Sequence, residues 1–151
     1  MKMTAVVLSF WIILIVSAGN AEAKYLGRYS DNQFDSESTS NQFGQYGSQF
    51  SPDSINNRFS QHGSRFSPNG AANQFTTGGP KLYSSDGQFL GNVNSNRFDP
   101  NSVSNPFGQY GSQFSPTSVN NPFGQYGSQF SNQSANNQFA TDAPMILGGD
   151  D

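Results

Sequence analysis

Asn105–Asn120 reads Asn-Pro-Phe-Gly-Gln-Tyr-Gly-Ser-Gln-Phe-Ser-Pro-Thr-Ser-Val-Asn, and Asn121–Asn136 repeats it in frame, with Asn132, Gln133 and Ala135 in place of Pro116, Thr117 and Val119. Steps of sixteen from Phe43 land on Phe59, Phe75, Gly91, Phe107, Phe123 and Phe139. Steps from Phe34 land on Phe50, Phe66, Leu82, Phe98, Phe114, Phe130 and Ile146. The frame does not slip between Phe34 and Ile146. A fixed period of this kind outweighs single-residue propensity in deciding the fold.

A longer period lies over the short one. Tyr25-Leu26-Gly27 returns as Phe89-Leu90-Gly91, Phe34-Asp35 as Phe98-Asp99 and Pro80 as Pro144, each shifted by sixty-four. The chain divides accordingly into a leader over 1–23, a first repeat half over 24–87 and a second over 88–151. A mature chain beginning at Lys24 is eight times sixteen residues long.

Each unit carries two turn signals. Ser51-Pro52-Asp53-Ser54 recurs as Ser67-Pro68-Asn69-Gly70, Asp99-Pro100-Asn101-Ser102 and Ser115-Pro116-Thr117-Ser118. The leading oxygen is placed to accept a backbone N–H, and proline presets φ where no donor is needed. A small or branched apolar residue follows (Ile55, Ala71, Val103, Val119 or Ala135), then Asn, which tolerates a left-handed conformation closing the turn. The second signal is Asn105-Pro106-Phe107-Gly108 and Asn121-Pro122-Phe123-Gly124, where Gln42 or Arg58 stands for proline in the first half. The linking Gln-Tyr-Gly-Ser-Gln-Phe is expected to be extended, with Gly47, Gly111 and Gly127 interrupting any long strand.

Sixteen residues are too few for a helix-pair repeat. The expected fold is a turn-rich repeat with little regular secondary structure, in the form of a compact solenoid whose phenylalanines stack between neighbouring units. The alternative is a largely disordered chain. Beyond residue 23, Leu, Ile, Val and Phe make up about 17% of residues, under the ~20% associated with disorder. The high net charge that usually accompanies disorder is missing at −3.

The first segment reads as an address. Lys2 precedes the apolar run Ala5–Val16, and Ala21-Glu22-Ala23 has the small-x-small form of a signal-peptidase site. The expectation is an N-terminal signal helix and cleavage after Ala23, with Asn20-Ala21 a second option. The protein would be exported to the periplasm, the cell surface or the outside. The apolar run is shorter than the ~20 residues of a membrane span, so the mature chain is expected not to cross a membrane.

Composition excludes several function classes. Seven Lys and Arg, scattered without a basic patch, argue against nucleic acid as a partner. No cysteine means no disulfide scaffold, thiolate nucleophile or thiolate metal site. His62, the single histidine, stands sixteen residues after Tyr46, in the slot of Tyr110 and Tyr126, and reads as a substituted aromatic rather than a catalytic base. Asp35 and Asp99 occupy the cap slot that serine fills elsewhere. Glu37 and Asp53 share a turn slot with Asn69, Asn101 and Thr117, so no convergent acid pair or calcium loop emerges. Asp150-Asp151 reads as a solvated tail, and Asn132-Gln133-Ser134 as a decayed Ser-Pro-Thr-Ser rather than a glycosylation acceptor. No catalytic, cofactor-binding or metal-ligating residue is assigned.

The unit Asn-Pro-Phe-Gly-Gln-Tyr-Gly-Ser-Gln-Phe-Ser-Pro-Thr-Ser-Val-Asn-Asn resembles the tandem units of small exported bacterial proteins of uncharacterised function. In those the pattern reads Asn-Pro-Tyr-Gly-x-Tyr-Gly-Ser-Pro-Tyr-Ser-Pro-Asp-Ser-Ile-Asn-Asn. The resemblance spans nearly the whole mature chain and takes in Tyr25–Gly27 and Pro80–Tyr83. The present chain departs from it with Phe for Tyr, and with Gln49, Gln113 and Gln129 for Pro.

The expected function is a non-enzymatic structural or interaction role. The alternatives are a carbohydrate- or cell-wall-binding module, in which the aromatics line a groove, and a self-assembling matrix component, which frequent proline opposes. Of the two placements for the rings, the interior of the repeat is preferred to an open groove.

Overall fold

A computed structural model describes residues 23–148. The expected leader with its signal helix, and the Asp150-Asp151 tail, lie outside the described residues. Among those residues there is no helix and there are four short strands: β1 (Tyr25–Arg28), β2 (Lys81–Tyr83), β3 (Phe89–Asn92) and β4 (Met145–Leu147). The rest is a hydrogen-bonded succession of turns, with little regular secondary structure, as expected.

The turns are built by side chains. In the second half, Asn96, Asp99, Ser102 and Asn105 each accept the backbone N–H two residues on, those of Phe98, Asn101, Ser104 and Phe107, all at 2.9 Å. The next sixteen residues repeat the series at Ser112, Ser115, Ser118 and Asn121, at 3.0–3.4 Å. Backbone bonds close the same turns, as in Ser102 N–H to Asp99 O and Gly108 N–H to Asn105 O, both 3.1 Å. A side-chain oxygen two bonds from Cα in Ser, or three in Asn and Asp, mimics a backbone turn, which is why these residues recur every third position.

Proline is dispensable in this scheme. Gly44 N–H still reaches Asn41 O (3.0 Å) and Ser60 N–H still reaches Asn57 O (3.1 Å), although Gln42 and Arg58 replace proline there. Two local expectations need correction. Among the described residues none other than glycine has positive φ, so the asparagines cap turns instead of closing them in a left-handed conformation. The Gln-Tyr-Gly link is not extended: Ser48, Ser112 and Ser128 donate their N–H groups to the oxygens of Gly44, Gly108 and Gly124 at 3.0–3.1 Å, bending it into a wider turn. Glycine is needed there for space, since a Cβ at Gly47 or Gly111 would lie 2.1 Å from the oxygen of Asn41 or Asn105.

Asparagine amides tie the turns together. Asn105, Asn121 and Asn137 donate Nδ2–H to the oxygens of Asp99, Ser115 and Ser131, each six residues back (2.9–3.0 Å). Asn120 reaches back seventeen residues to Val103 O (2.8 Å) and nine to Gly111 O (3.0 Å), and Asn136 does the same to Val119 O and Gly127 O (both 2.9 Å). Asn56 makes the equivalent pair in the first half.

The strands close the molecule. Their order is β1-β4-β2-β3, and every pairing is antiparallel. Leu82 stands opposite Ile146, its counterpart sixty-four residues later, flanked by Lys81–Leu147 and Tyr83–Met145. Equivalent residues therefore meet across a local two-fold. The first strand of each half pairs with the last strand of the other. Leu26, Leu82, Leu90 and Ile146, all fully buried, join Val103, Val119, Tyr126 and Ala135 in one apolar cluster.

Gly27 and Gly91 have φ of +95° and +119°, and a Cβ there would lie 2.5 and 2.7 Å from Cβ of Tyr46 and Tyr110. Gly87, in the β2–β3 turn, has φ of +92° with open space around it. Gly27→Ala should therefore lower unfolding free energy by roughly 3–5 kcal/mol, combining backbone strain with overpacking, and Gly87→Ala by about 1–2 kcal/mol from strain alone. Urea unfolding followed by circular dichroism checks the order; equal effects would contradict it.

Candidate functional site

The phenylalanines are outside. Among the described residues, twelve of them, from Phe34 to Phe139, are 78–96% exposed. The expectation that rings stack in the repeat interior is overturned. The cause is local: each of the twelve sits two residues after an Asn or Ser whose side chain accepts its N–H, as at Asn41–Phe43 (3.0 Å), Ser48–Phe50 (3.1 Å) and Asn57–Phe59 (2.9 Å). The capping side chain folds inward across the turn and leaves the corner side chain facing solvent.

The interior takes small groups instead. Ser38, Ser54, Ser102, Ser118 and Ser134 are fully buried, and the residues after the last four, Ile55, Val103, Val119 and Ala135, pack in or against the cluster. Phe89, in β3, is the exception among the described phenylalanines, packed edge-on against Tyr83 and Tyr110 (ring centroids 5.6 and 5.1 Å).

Successive corners frame open grooves. Phe50 and Phe59 flank one of about 780 Å³, lined also by Gln42, Gln49, Asn56 and Arg58. Phe66 and Phe75 flank a second with Arg65, Asn73 and Gln74. Phe130 and Phe139 flank a third with Asp31, Gln129 and Gln138. The residue before each corner phenylalanine is Gln, Arg or Pro, and it too is exposed, so each apolar ring has an exposed amide, guanidinium or proline beside it.

The titratable residues weighed as candidates are dispersed among structural tasks. His62 is buried, its backbone oxygen accepts Ala71 N–H (2.8 Å), and a Cβ at Gly148 would lie 2.9 Å from its Cε1. Tyr126, its counterpart, is equally buried, accepts Ala135 N–H (3.0 Å) and donates its hydroxyl to Gln88 Oε1 (3.1 Å). Glu37 accepts the Tyr25 hydroxyl and lies 3.9 Å from Arg28 Nε. Burial first, then that hydrogen bond, pushes the Tyr25 phenol up. Asp53 pairs with Lys24 Nζ (2.5 Å) and accepts Gln45 Nε2–H (2.6 Å), contacts that hold its carboxyl below the usual range.

Asp35 caps Glu37 N–H (2.9 Å). Asp99 caps Asn101 N–H and also accepts the amides of Asn92 (3.1 Å) and Asn94 (2.9 Å). Asn132 Oδ1 accepts the N–H and hydroxyl of Thr141, while Ser134 is buried and caps Asn136. Among the described residues no three His, Asp or Glu side chains gather as a metal-binding set, and no helix is long and apolar enough to cross a membrane.

One signal for the exposed array was present in the sixteen-residue frame. Leu82 and Ile146 are the positions in the Phe34 series that carry an aliphatic residue, and both are fully buried. Where the frame goes inside, the ring is replaced. Comparison with protein-family models, curated proteins and solved structures finds no match to this chain.

The Asp99 carboxyl gives a pH prediction. Burial raises its pKa, but the hydrogen bonds from Asn94, the Asn101 backbone and Asn92 outweigh burial and lower it. A folded pKa below the unfolded one contributes stability above the unfolded value near 4, and that contribution disappears as pH falls through the folded pKa. Asp99→Asn should therefore be less stable than the parent at pH 6, and the gap should narrow as pH falls below about 4. Unfolding midpoints measured from pH 2 to 6 test this, and a gap independent of pH would contradict it.

Proposed function

We propose that this chain is an exported, non-enzymatic repeat protein with a structural or interaction role. Its units stack as a compact solenoid, and the outward phenylalanines form its working surface. The observation that carries the reading is the array itself. A turn capped by Asn or Ser accepts a polar residue at the corner as readily as a ring, yet phenylalanine stands at twelve corners. Exposed apolar area on that scale is unusual for a protein acting alone. Burying each ring against a partner would return roughly 1.5–3 kcal/mol.

Export is supported by the leader, from Lys2 to Ala23. Dispersal of the titratable groups among caps and ion pairs supports a role without chemistry. Self-assembly is the second reading, favoured by the area on offer: about six rings at ~150 Å² each approach the ~800 Å² per partner typical of a stable interface.

Expression of the full chain in a bacterial host should yield a secreted or envelope-associated protein whose first residue is Lys24. Substituting Phe43, Phe59, Phe107 and Phe123 by Ser should release it from the envelope fraction. Unfolding free energy should stay within about 0.5 kcal/mol per site, since the corners are solvated. Unchanged fractionation of this variant would remove the phenylalanine surface from the account.

A further inference from the structure

We propose that the grooves between successive phenylalanine corners bind a neutral polysaccharide; the proposal rests on the reading of the array as a contact surface and names its partner. Three grooves share one construction. Phe50 and Phe59, Phe66 and Phe75, and Phe130 and Phe139 form the walls, with Gln and Asn amides between them.

Charge selects among partners. Each groove carries a single ionic residue, and the sign differs: Arg58 in the first, Arg65 in the second, Asp31 in the third. A polyanion spanning the array would be repelled at Asp31, and a polycation at the two arginines. The chain's net charge of −3 is small for its length and gives a polyanion no long-range attraction.

Amide satisfaction selects further. A lipid or wholly apolar surface pressed on the rings would seal Gln49, Gln74, Gln129 and Gln138 from water without partners, at about 1–3 kcal/mol for each unsatisfied group. A pyranose ring presents an apolar C–H face, attracted to the electron-rich face of phenylalanine, and a rim of hydroxyls that both donate and accept. The amide group also does both, so ring and rim are matched by wall and floor. A polymer of such rings would engage several grooves at once, and weak binding at each would multiply into useful avidity.

The test uses the full chain in sedimentation with insoluble cellulose, chitin, xylan and mannan, with polygalacturonate and phosphatidylcholine vesicles as the charged and apolar controls. A variant with Phe50, Phe59, Phe130 and Phe139 changed to Leu keeps apolar area and loses the flat ring face; its unfolding midpoint verifies the fold. The expected result is binding to at least one neutral polysaccharide, weakened roughly ten-fold or more in the Leu variant. Binding to vesicles, to polygalacturonate alone or to further copies of the chain, with no neutral polysaccharide bound, would overturn the proposal. So would glycan binding that the Leu variant retains in full. In those cases loss of envelope association in the Ser variant would leave the contact-surface reading standing; a Ser variant that fractionates like the parent would remove both.

Discussion

A short polar side chain that accepts the N–H two residues ahead is the interaction on which the rest of this molecule depends. Asn, Asp and Ser at three-residue intervals make each such bond the start of the next turn, so the chain bends repeatedly without helix or strand. Each bond contributes only about 1 kcal/mol. The effect comes from recurrence, and from a second use of the same residues: the asparagine amide that remains after capping ties one turn to another. Asn121→Ala would lose both functions, whereas Asp at that position would retain the acceptor and lose the donor.

This scheme leaves little room inside. With turns so tight, backbone carbonyls approach within 2.2 Å of where a side chain would begin at Gly47, Gly111 and Gly127, and buried serines fill places that larger domains give to leucine. Apolar burial is concentrated where the two halves meet. There Leu26, Leu82, Leu90 and Ile146 lie on strands exchanged between the halves, so neither half completes its sheet alone. The two-fold relation across Leu82–Ile146 matches the replacement of phenylalanine by an aliphatic residue at the same point of the sixteen-residue frame in each half.

The same geometry that empties the interior of rings crowds them onto the surface. Corner positions cannot turn inward while their N–H is held by the cap, so a phenylalanine there is committed to solvent or to a partner. Alternation with exposed Gln, Arg and Pro keeps the surface wettable. The array is not a continuous greasy face, and the proposal of a contact role rests on that combination.

The period, the turn chemistry at Ser51-Pro52-Asp53 and Asn105-Pro106-Phe107, and the equivalence of His62 with Tyr126 were legible in the residues, because hydrogen-bond acceptors at short fixed offsets act locally. Three features depended on the folded whole. The strands escaped notice because Tyr25–Arg28 and Met145–Leu147 are too short to show alternation, and are strands only through pairing over more than a hundred residues. The glycines at 27 and 91 acquire their necessity from Tyr46 and Tyr110, which only the closed chain brings against them. Placement of the rings depended on how much space the stacked turns leave, and the space suits Ser, Ala and Val. Local bonds could be read from spacing alone, but inside and outside are properties of the assembled chain.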